Sequence, residues 1–444
     1  MFDDTIHAPA SGPGPTGVTV IRVSGPDAGA ALTTLTGASL PSPRHATLAH
    51  LSDPATGTAL DAALVLWFPA PASFTGEDVA ELHIHGGRAV LTAVLSALNT
   101  LDGLRPAEAG EFTRRAFDNG KLDLTEVEGL ADLIHADTEA QRVQALRQME
   151  GALGALYEGW RAALIGACAH LEATIDFAEE DIPEGLISGA LDQVRALRDD
   201  IQAHLADGRR GERLRDGIHI AIVGPPNAGK SSLLNWLAQR DAAIVSDVAG
   251  TTRDVVEVQL DLGGYPVVLA DTAGLRDAVD QIEEEGVRRA LARAAAADLT
   301  LAVFDGAAWP ARDGRTEGLV TDATLVAVNK ADLGGVPQVP SIAGQDAHAV
   351  SVTDGTGMER LLTAIEDQVK TRWGLSGEAT VTRARHRHGL ETTVAALDRA
   401  LAGREPELVA EDLRLAARAL GAVTGRVDVE DLLDVIFQDF CIGK

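Results

Sequence analysis

Short apolar runs separated by Gly/Pro turns fill the first stretch of the chain. Residues 19–23 and 62–67, rich in Val, Ile, Leu and Ala, predict strands. From Val79 to His85 the alternation is strict: Ala80, Leu82 and Ile84 share one face, and Glu81, His83 and His85 share the other. Gly86-Gly87 closes that strand, and the spacing over 88–98 predicts a helix. Residues 1–118 therefore read as an α+β domain.

The texture then turns helical over 119–215. Leu122-Asp-Leu-Thr-Glu126 opens it, with Thr125 as the expected N-cap. Apolar residues three and four apart predict helix through 140–171. Asp181-Ile-Pro183 interrupts it, and a further helix is expected over 187–206. From 217 the pattern changes to apolar runs of four or five residues, 219–223, 267–270, 299–304, 325–328 and 349–351, alternating with helical segments. That rhythm predicts a parallel α/β sheet over 216–373. Helices return over 387–402, 405–420 and 428–437, so 119–215 and 374–444 read as one helical domain interrupted by an insertion. No fixed-period repeat is present.

Charge and cysteine content narrow the function. The 444 residues hold 38 basic and 66 acidic side chains, a net −28, which opposes non-specific adhesion to nucleic acid and attraction to anionic lipid. A local RNA site stays open. The cluster Arg383-Ala-Arg385-His386-Arg387-His388 reads either as that site or as a solvated helix face. Two cysteines exclude a disulfide scaffold and fit a reducing, cytoplasmic setting. The start, Met-Phe-Asp-Asp-Thr-Ile-His, has neither the basic nor the apolar region of a secretory signal, and no run of eighteen apolar residues predicts a membrane span.

The chemistry is concentrated in the inserted domain. Gly224-Pro-Pro-Asn227-Ala228-Gly229-Lys230-Ser231 fits G-x-x-x-x-G-K-[ST], between an apolar strand and a helix opening near Ser232. Such a loop turns backbone N–H groups onto phosphate oxygens, with Lys230 reaching the β- and γ-phosphates and Ser231 ligating Mg²⁺. Asp271-Thr272-Ala273-Gly274 ends the next strand, where an acid organises Mg²⁺ and a glycine N–H meets the γ-phosphate. Asn329-Lys330-Ala331-Asp332 ends another. A buried carboxylate at Asp332 would accept the paired N–H donors of guanine, which adenine lacks, and Ser351 follows as a support for the base. Motifs at successive strand ends mark a guanine-nucleotide site. Leu275 stands where many such switches place a water-orienting glutamine, so hydrolysis needs another group: Arg276, Asp280 or one of Glu283-Glu284-Glu285.

Gly-Pro-Pro-Asn-Ala-Gly-Lys-Ser-Ser-Leu, Asp247-Val248-Ala249-Gly250-Thr251-Thr252-Arg-Asp254 and Asp-Thr-Ala-Gly-Leu-Arg276 resemble the Era-related bacterial GTPases. Ser73-Phe-Thr-Gly-Glu-Asp78, Glu81-Leu-His-Ile-His-Gly-Gly87, Gly110-Glu-Phe-Thr-Arg-Arg-Ala-Phe117, Lys121-Leu-Asp-Leu-Thr-Glu126 and the closing Phe440-Cys-Ile-Gly-Lys444 narrow the resemblance to the MnmE (TrmE) family of tRNA uridine-34 modification GTPases. It covers nearly the whole chain. It implies a multidomain fold: an N-terminal α+β folate-binding and dimerisation domain, then a helical domain interrupted by a Ras-like P-loop GTPase domain.

The resemblance also implies the chemistry. A homodimer would work with the flavoprotein MnmG on tRNA, with no DNA and no membrane as partner. It would add an aminomethyl or carboxymethylaminomethyl group to C5 of the wobble uridine, using a methylene-tetrahydrofolate carbon and a GTPase stimulated by K⁺. By position, Asn227, Ser246, Val248 and Thr251 would hold K⁺, Ser231 and Thr252 would hold Mg²⁺, and Glu283 would orient the attacking water. Arg22, Glu81, Lys121 and Lys444 would hold the folate, a carboxylate for the pterin donors and cations for its glutamate tail. Arg276 and Cys441 are further catalytic candidates. Ser11-Gly-Pro-Gly-Pro-Thr-Gly17 and His83 depart from the family pattern. Glu81, His83 and His85 together fit a metal site, a folate contact or a solvated face. Cys168, on an apolar helix, reads as core.

Overall fold

A computed structural model describes residues 2–12, 14–176, 186–239, 257–271, 295–337, 340–375 and 377–427, together with 433, 436–437 and 440–443. The chain divides into two compact units, one of 1–131, 148–162 and 417–444 and one of 132–147 and 163–416.

The first unit is built on a six-stranded sheet: β1 (Thr5–Pro9), β2 (Thr16–Ser24), β3 (Thr47–Ser52), β4 (Ala59–Phe68), β5 (Val79–Gly86) and β6 (Leu104–Pro106). Their order is β3-β4-β5-β2-β1-β6, antiparallel throughout except for the parallel pair β1–β6. The alternation in β5 decides its faces: Ala80, Leu82 and Ile84 are buried with Ile21, Val23 and Val65. Helices Ala28–Thr36 and Arg88–Asn99 join that core through Leu32, Leu35, Val94 and Leu98. The period-2 pattern along β5 turns Glu81 away from that core.

Helix Leu124–Ile134 corrects the expected cap. Asp123 Oδ1 accepts from Glu126 N at 2.9 Å while Glu126 Oε2 accepts from Asp123 N at 2.7 Å, a reciprocal capping box, and Thr125 Oγ1 merely donates to Asp123 Oδ1. The helix expected through 140–171 is two, Glu139–Met149 and Ala152–Asp176, separated at Gly151, whose φ of +85° favours glycine. A Cβ there would meet Glu126 Oε1 at 2.9 Å. Near the other end of the chain, Phe437 and Phe440 pack with Leu124, Val127 and Ala131. Most of the helix expected over 428–437 lies outside the described residues, as does the break at 181–183.

A buried ion network ties this unit together. Arg115, fully buried, donates to Asp4 Oδ1 at 2.8 Å, Glu111 Oε1 at 3.2 Å and Glu77 Oε1 at 3.2 Å, and its guanidinium lies 4.4 Å from the Phe2 ring centroid. Arg105 clasps Glu111 and Asp4. Burial raises the Asp4 and Glu111 pKa values, but the hydrogen bonds to Arg105 and the charges of Arg105 and Arg115 outweigh it, so both end below the usual carboxylate range. A lowered native pKa gives stability that is complete above the unfolded value and lost as pH falls through the native one. Thermal unfolding should therefore worsen below about pH 4, and less so in Arg105→Gln. Arg115→Met should cost about 3–5 kcal/mol, because three carboxylates lose their common cation. A native melting temperature that does not fall below about pH 4 would refute the first, and an Arg115→Met melt equal to the native protein's would refute the second.

The second unit holds a seven-stranded sheet: β7 (Ile218–Val223), β8 (Glu257–Leu262), β9 (Tyr265–Asp271), β10 (Leu299–Asp305), β11 (Thr324–Asn329), β12 (Ser341–Ile342) and β13 (Gln345–Ala349). The order β12-β13-β11-β10-β7-β9-β8 is parallel in its centre, with antiparallel edges β12 and β8. The sheet is thus mixed where the apolar runs predicted a parallel one; the edges are short or alternate polar with apolar, which is why they escape a search for buried runs. The last strand ends at Ala349, and Val350–Ser351 already leaves it. Helices Lys230–Ala238 and Met358–Trp373 cover the sheet with Leu233, Leu234, Leu237, Leu361, Ile365 and Val369. Helices Ala384–Ala402 and Pro406–Thr424 follow. Among the described residues no helix is long and apolar enough to cross a membrane.

Candidate functional site

The phosphate loop sits where a nucleotide site belongs in such a sheet, at the C-terminal end of β7. Its shape is set by close approaches. Gly224 lies so near β10 that a Cβ would stand 2.2 Å from Val303 O, and Gly229, with φ +93°, caps helix Lys230–Ala238 against Asn329, whose Nδ2 would be 2.1 Å from a Cβ. Asn227 is exposed with φ +62°, in the left-handed region that asparagine tolerates. Lys230 is 8% exposed, and its Nζ donates to Gly224 O and Pro225 O, each at 2.9 Å. Its ammonium is therefore held inside the curve of the loop, over the space that the loop encloses. Ser231 and Ser232 are exposed at the helix start, and Ala228 is buried beneath the loop.

Asn329, 4% exposed, fastens this loop to the one at the next strand ends. Its Nδ2 donates to Ala228 O at 2.9 Å and its Oδ1 accepts from Val352 N at 3.2 Å. Lys330, with φ +63°, pairs with Asp305 Oδ2 at 2.7 Å. Asp305 was not singled out in the sequence; its signal was its place as the last residue of β10, opposite Asn329 in the parallel register. Ser351 is fully buried and its N–H donates to Thr356 O at 2.8 Å. Asp332 is exposed, in the short turn Ala331–Leu333, and not buried as the specificity argument expected. Its carboxylate stands free of the sheet's packed side chains, open to a ligand edge.

β9 delivers Asp271 to the same edge, beside Ile222 of β7. The Asp271 side chain, Ser246, Asp247, Val248, Ala249, Gly250, Thr251, Thr252, Thr272, Ala273, Gly274, Arg276 and Glu283 lie outside the described residues, as does Lys444.

In the first unit the structure brings Arg22 and Glu81 together. They are cross-strand partners on β2 and β5, and Arg22 Nε and Nη2 donate to Glu81 Oε1 at 3.3 Å. The guanidinium also lies 5.1 Å from the Phe74 ring centroid and 5.7 Å from that of Phe112. Phe74 and Phe112 stand in the motifs at 73–78 and 110–117, and their meeting at Arg22 is purely tertiary. Lys121 lies along the loop that carries Phe74: its stem packs against Gly76 and its Nζ donates to Pro71 O at 3.2 Å. A carboxylate and a guanidinium flanked by two aromatic rings can bind a flat heterocycle with paired N–H donors.

The chain's end reaches this unit. Ile442 bridges Ala109, and Gly443 is pressed so close to β1 that a Cβ would stand 2.0 Å from Pro9 O. Cys441 is exposed beside that bridge. The possible metal cluster does not form: His83 Nε2 lies 3.4 Å from Glu81 Oε2, but His85 Nδ1 turns to Asp61 Oδ1 at 2.7 Å. Among the described residues no group of three or more His, Cys, Asp or Glu is placed for a metal. Cys168 is buried and burial, then Glu172, push its thiol pKa up, which suits the core role. The basic cluster is not uniformly solvated: His388 is exposed, but other members are held within the fold. His386 is fully buried, Arg383 binds Asp132, and Arg387 binds Glu212, Asp207 and Leu205 O.

Two family models match the chain: one described as GTP-binding protein TrmE N-terminus over residues 5–121, the other as MnmE helical domain over residues 124–441. A tRNA modification GTPase MnmE of Parvibaculum lavamentivorans is 60% identical, across 99% of this chain and 100% of its own. That of Paramagnetospirillum magneticum is 58% identical over the full length of both. A 5-taurinomethyluridine-[tRNA] synthase subunit GTPB3, mitochondrial, of Danio rerio is 52% identical over all of this chain and 93% of its own.

Proposed function

The chain belongs to the MnmE family of tRNA modification GTPases, and from that premise we propose that it hydrolyses GTP to drive modification of the wobble uridine of tRNA. The observation that carries the reading is the joint made by Asn329: one buried amide holds the phosphate loop and the loop that presents Asp332 in a single frame. Phosphates and base are then read by one rigid body at the sheet's C-terminal edge.

Each residue has a task. Lys230 leaves the carbonyls of Gly224 and Pro225 for phosphate oxygens, exchanging two neutral acceptors for charged ones. Asp332 accepts the two N–H donors of guanine, and Lys330, fixed by Asp305, holds that turn in place. Glu283 orients the attacking water in place of the glutamine that Leu275 replaces, with Arg276 a secondary candidate. Ser231 with Thr252 suits Mg²⁺, hydroxyl donors at the loop's end, and Asn227 with Ser246, Val248 and Thr251 suits K⁺, a charge beside the phosphates like that of an arginine finger. In the N-terminal domain, Arg22, Glu81, Lys121 and Lys444 hold a tetrahydrofolate that supplies the one-carbon unit. The chain acts as a homodimer with a flavoprotein partner of the MnmG type, in the cytoplasm, with domain limits 1–118, 119–215, 216–373 and 374–444. Cys441, exposed at the chain's end, is available to the same chemistry.

The cation tests this reading. GTP turnover measured in KCl should exceed that in NaCl by about 10²–10³-fold, the cost of losing one preorganised positive group at the phosphates. Asn227→Ala should erase the difference. Equal rates in both salts in the native protein would remove the cation from the mechanism.

A further inference from the structure

Both linkers of the nucleotide-binding sheet converge on one carboxylate. Asp132 Oδ1 accepts from Arg215 Nε at 3.0 Å and from Arg383 Nη2 at 2.7 Å. Arg215 lies in helix Arg210–Asp216, three residues before β7 begins. Arg383 caps helix Ala384–Ala402, just past the helix Met358–Trp373 that ends the sheet's fold. The side chain of Asp132 is 16% exposed and that of Arg383 18%, so the bonds are largely shielded from water. The linkers also touch directly: a Cβ on Gly211 would stand 2.4 Å from Val381 O.

A helix is fastened to the same joint. In Glu139–Met149, Gln141 Nε2 donates to Arg215 O at 3.1 Å, Gln144 Nε2 donates to Gly211 O at 2.9 Å, and Ala140 N donates to Gly264 O of the β8–β9 turn at 2.9 Å. Asp132 is the first residue of the second unit, and the helix that carries it, Leu124–Ile134, starts in the first. Arg215 Nη1 at the same time donates to Asp216 Oδ1 at 2.7 Å, and Arg215 borders a polar cavity of about 190 Å³ with His135, Asp137 and Gln141. Its guanidinium therefore has a second charge and space to move.

We infer that Asp132 is a positioning residue that carries the nucleotide state of the phosphate loop, through Arg215 and β7, to helix Glu139–Met149 and Arg383. The inference rests on the nucleotide site proposed above. β7 is the transmission element, since it joins Arg215 at one end to Gly224 at the other. Asp132 matters because it is bonded to both linkers, so a shift of β7 at one of them is felt at the other.

Amide hydrogen exchange of the full-length protein, without nucleotide and with GDP plus aluminium fluoride and K⁺, tests it. In the native protein the phosphate loop, 224–231, and helix Glu139–Met149 should both change protection. Asp132→Asn should keep the loop's response and weaken the helix's by about five-fold or more, Arg383→Gln should do the same, and Asp132→Glu should restore it. A merely structural role would shift the loop and helix together. A helix response unchanged in Asp132→Asn, or absent from a native protein whose loop responds, overturns the inference. A loop that fails to respond in the native protein overturns the nucleotide site itself and this inference with it.

Discussion

Lys230→Ala is expected to cut GTP turnover at saturating nucleotide by about 10²–10³-fold, the usual cost of one preorganised donor to a transferring phosphoryl group. The side chain is already almost wholly buried, with its ammonium on the carbonyls of Gly224 and Pro225. The loop is therefore shaped around a cation, and alanine leaves those two carbonyls facing one another without it. Nucleotide affinity should fall as well, since the same charge meets the phosphates in the ground state. Steady-state phosphate release, with binding of a fluorescent GDP as the parallel measurement, reports both. Turnover equal to the native protein's would mean that the loop does not act on the γ-phosphate.

Asp332→Asn should exchange base specificity. A carboxylate offers two acceptors to the two N–H donors of guanine; an amide offers one acceptor and one donor, which match the N–H and carbonyl of xanthine. GTP binding should weaken by about 10⁴-fold, because a site built on paired hydrogen bonds rejects a partner that leaves them unmade, and xanthosine triphosphate should bind the variant better than GTP. Asp332 is exposed and packs into no core, so the fold should be untouched and melting should confirm it. A variant that still prefers GTP would remove Asp332 from base recognition.

Much of the architecture was legible because it rests on local pattern. The alternation at Val79–His85 placed Glu81 off the core face, and the apolar runs at 219–223, 299–304 and 325–328 marked the centre of the sheet, where strands are buried on both faces. β1, β3, β6 and the edges β8 and β12 carry no such signal, being short or half-exposed, their order comes from pairings distant in sequence, and the run at 349–351 meets β13 only at its last residue. The cap of helix Leu124–Ile134 fell on Asp123 and not on Thr125 because Glu126, three residues after Asp123, completes the reciprocal bond. In the site, Lys230 and Asn329 stand in motifs, and Arg22 and Glu81 come from the family resemblance, but their pairing across β2 and β5 is seen only in the fold. The contacts of Phe74, Phe112 and Asp305 were not legible either, since nothing in a linear pattern says which ring lies on which guanidinium or which acid meets Lys330. In the basic cluster at 383–388 the same holds for Arg383 and Arg387, whose charges meet Asp132, Asp207 and Glu212, far away in the chain.

The most direct measurement is mass analysis of wobble nucleosides from tRNA incubated with this protein, a flavoprotein partner of the MnmG type, GTP, K⁺, ammonium and methylene-tetrahydrofolate. A uridine carrying a one-carbon aminomethyl addition should form, and should vanish when GTP or the folate is left out. Unmodified uridine at the wobble position, in a reaction where GTP is consumed and the partner is active with another member of the family, would contradict the assignment.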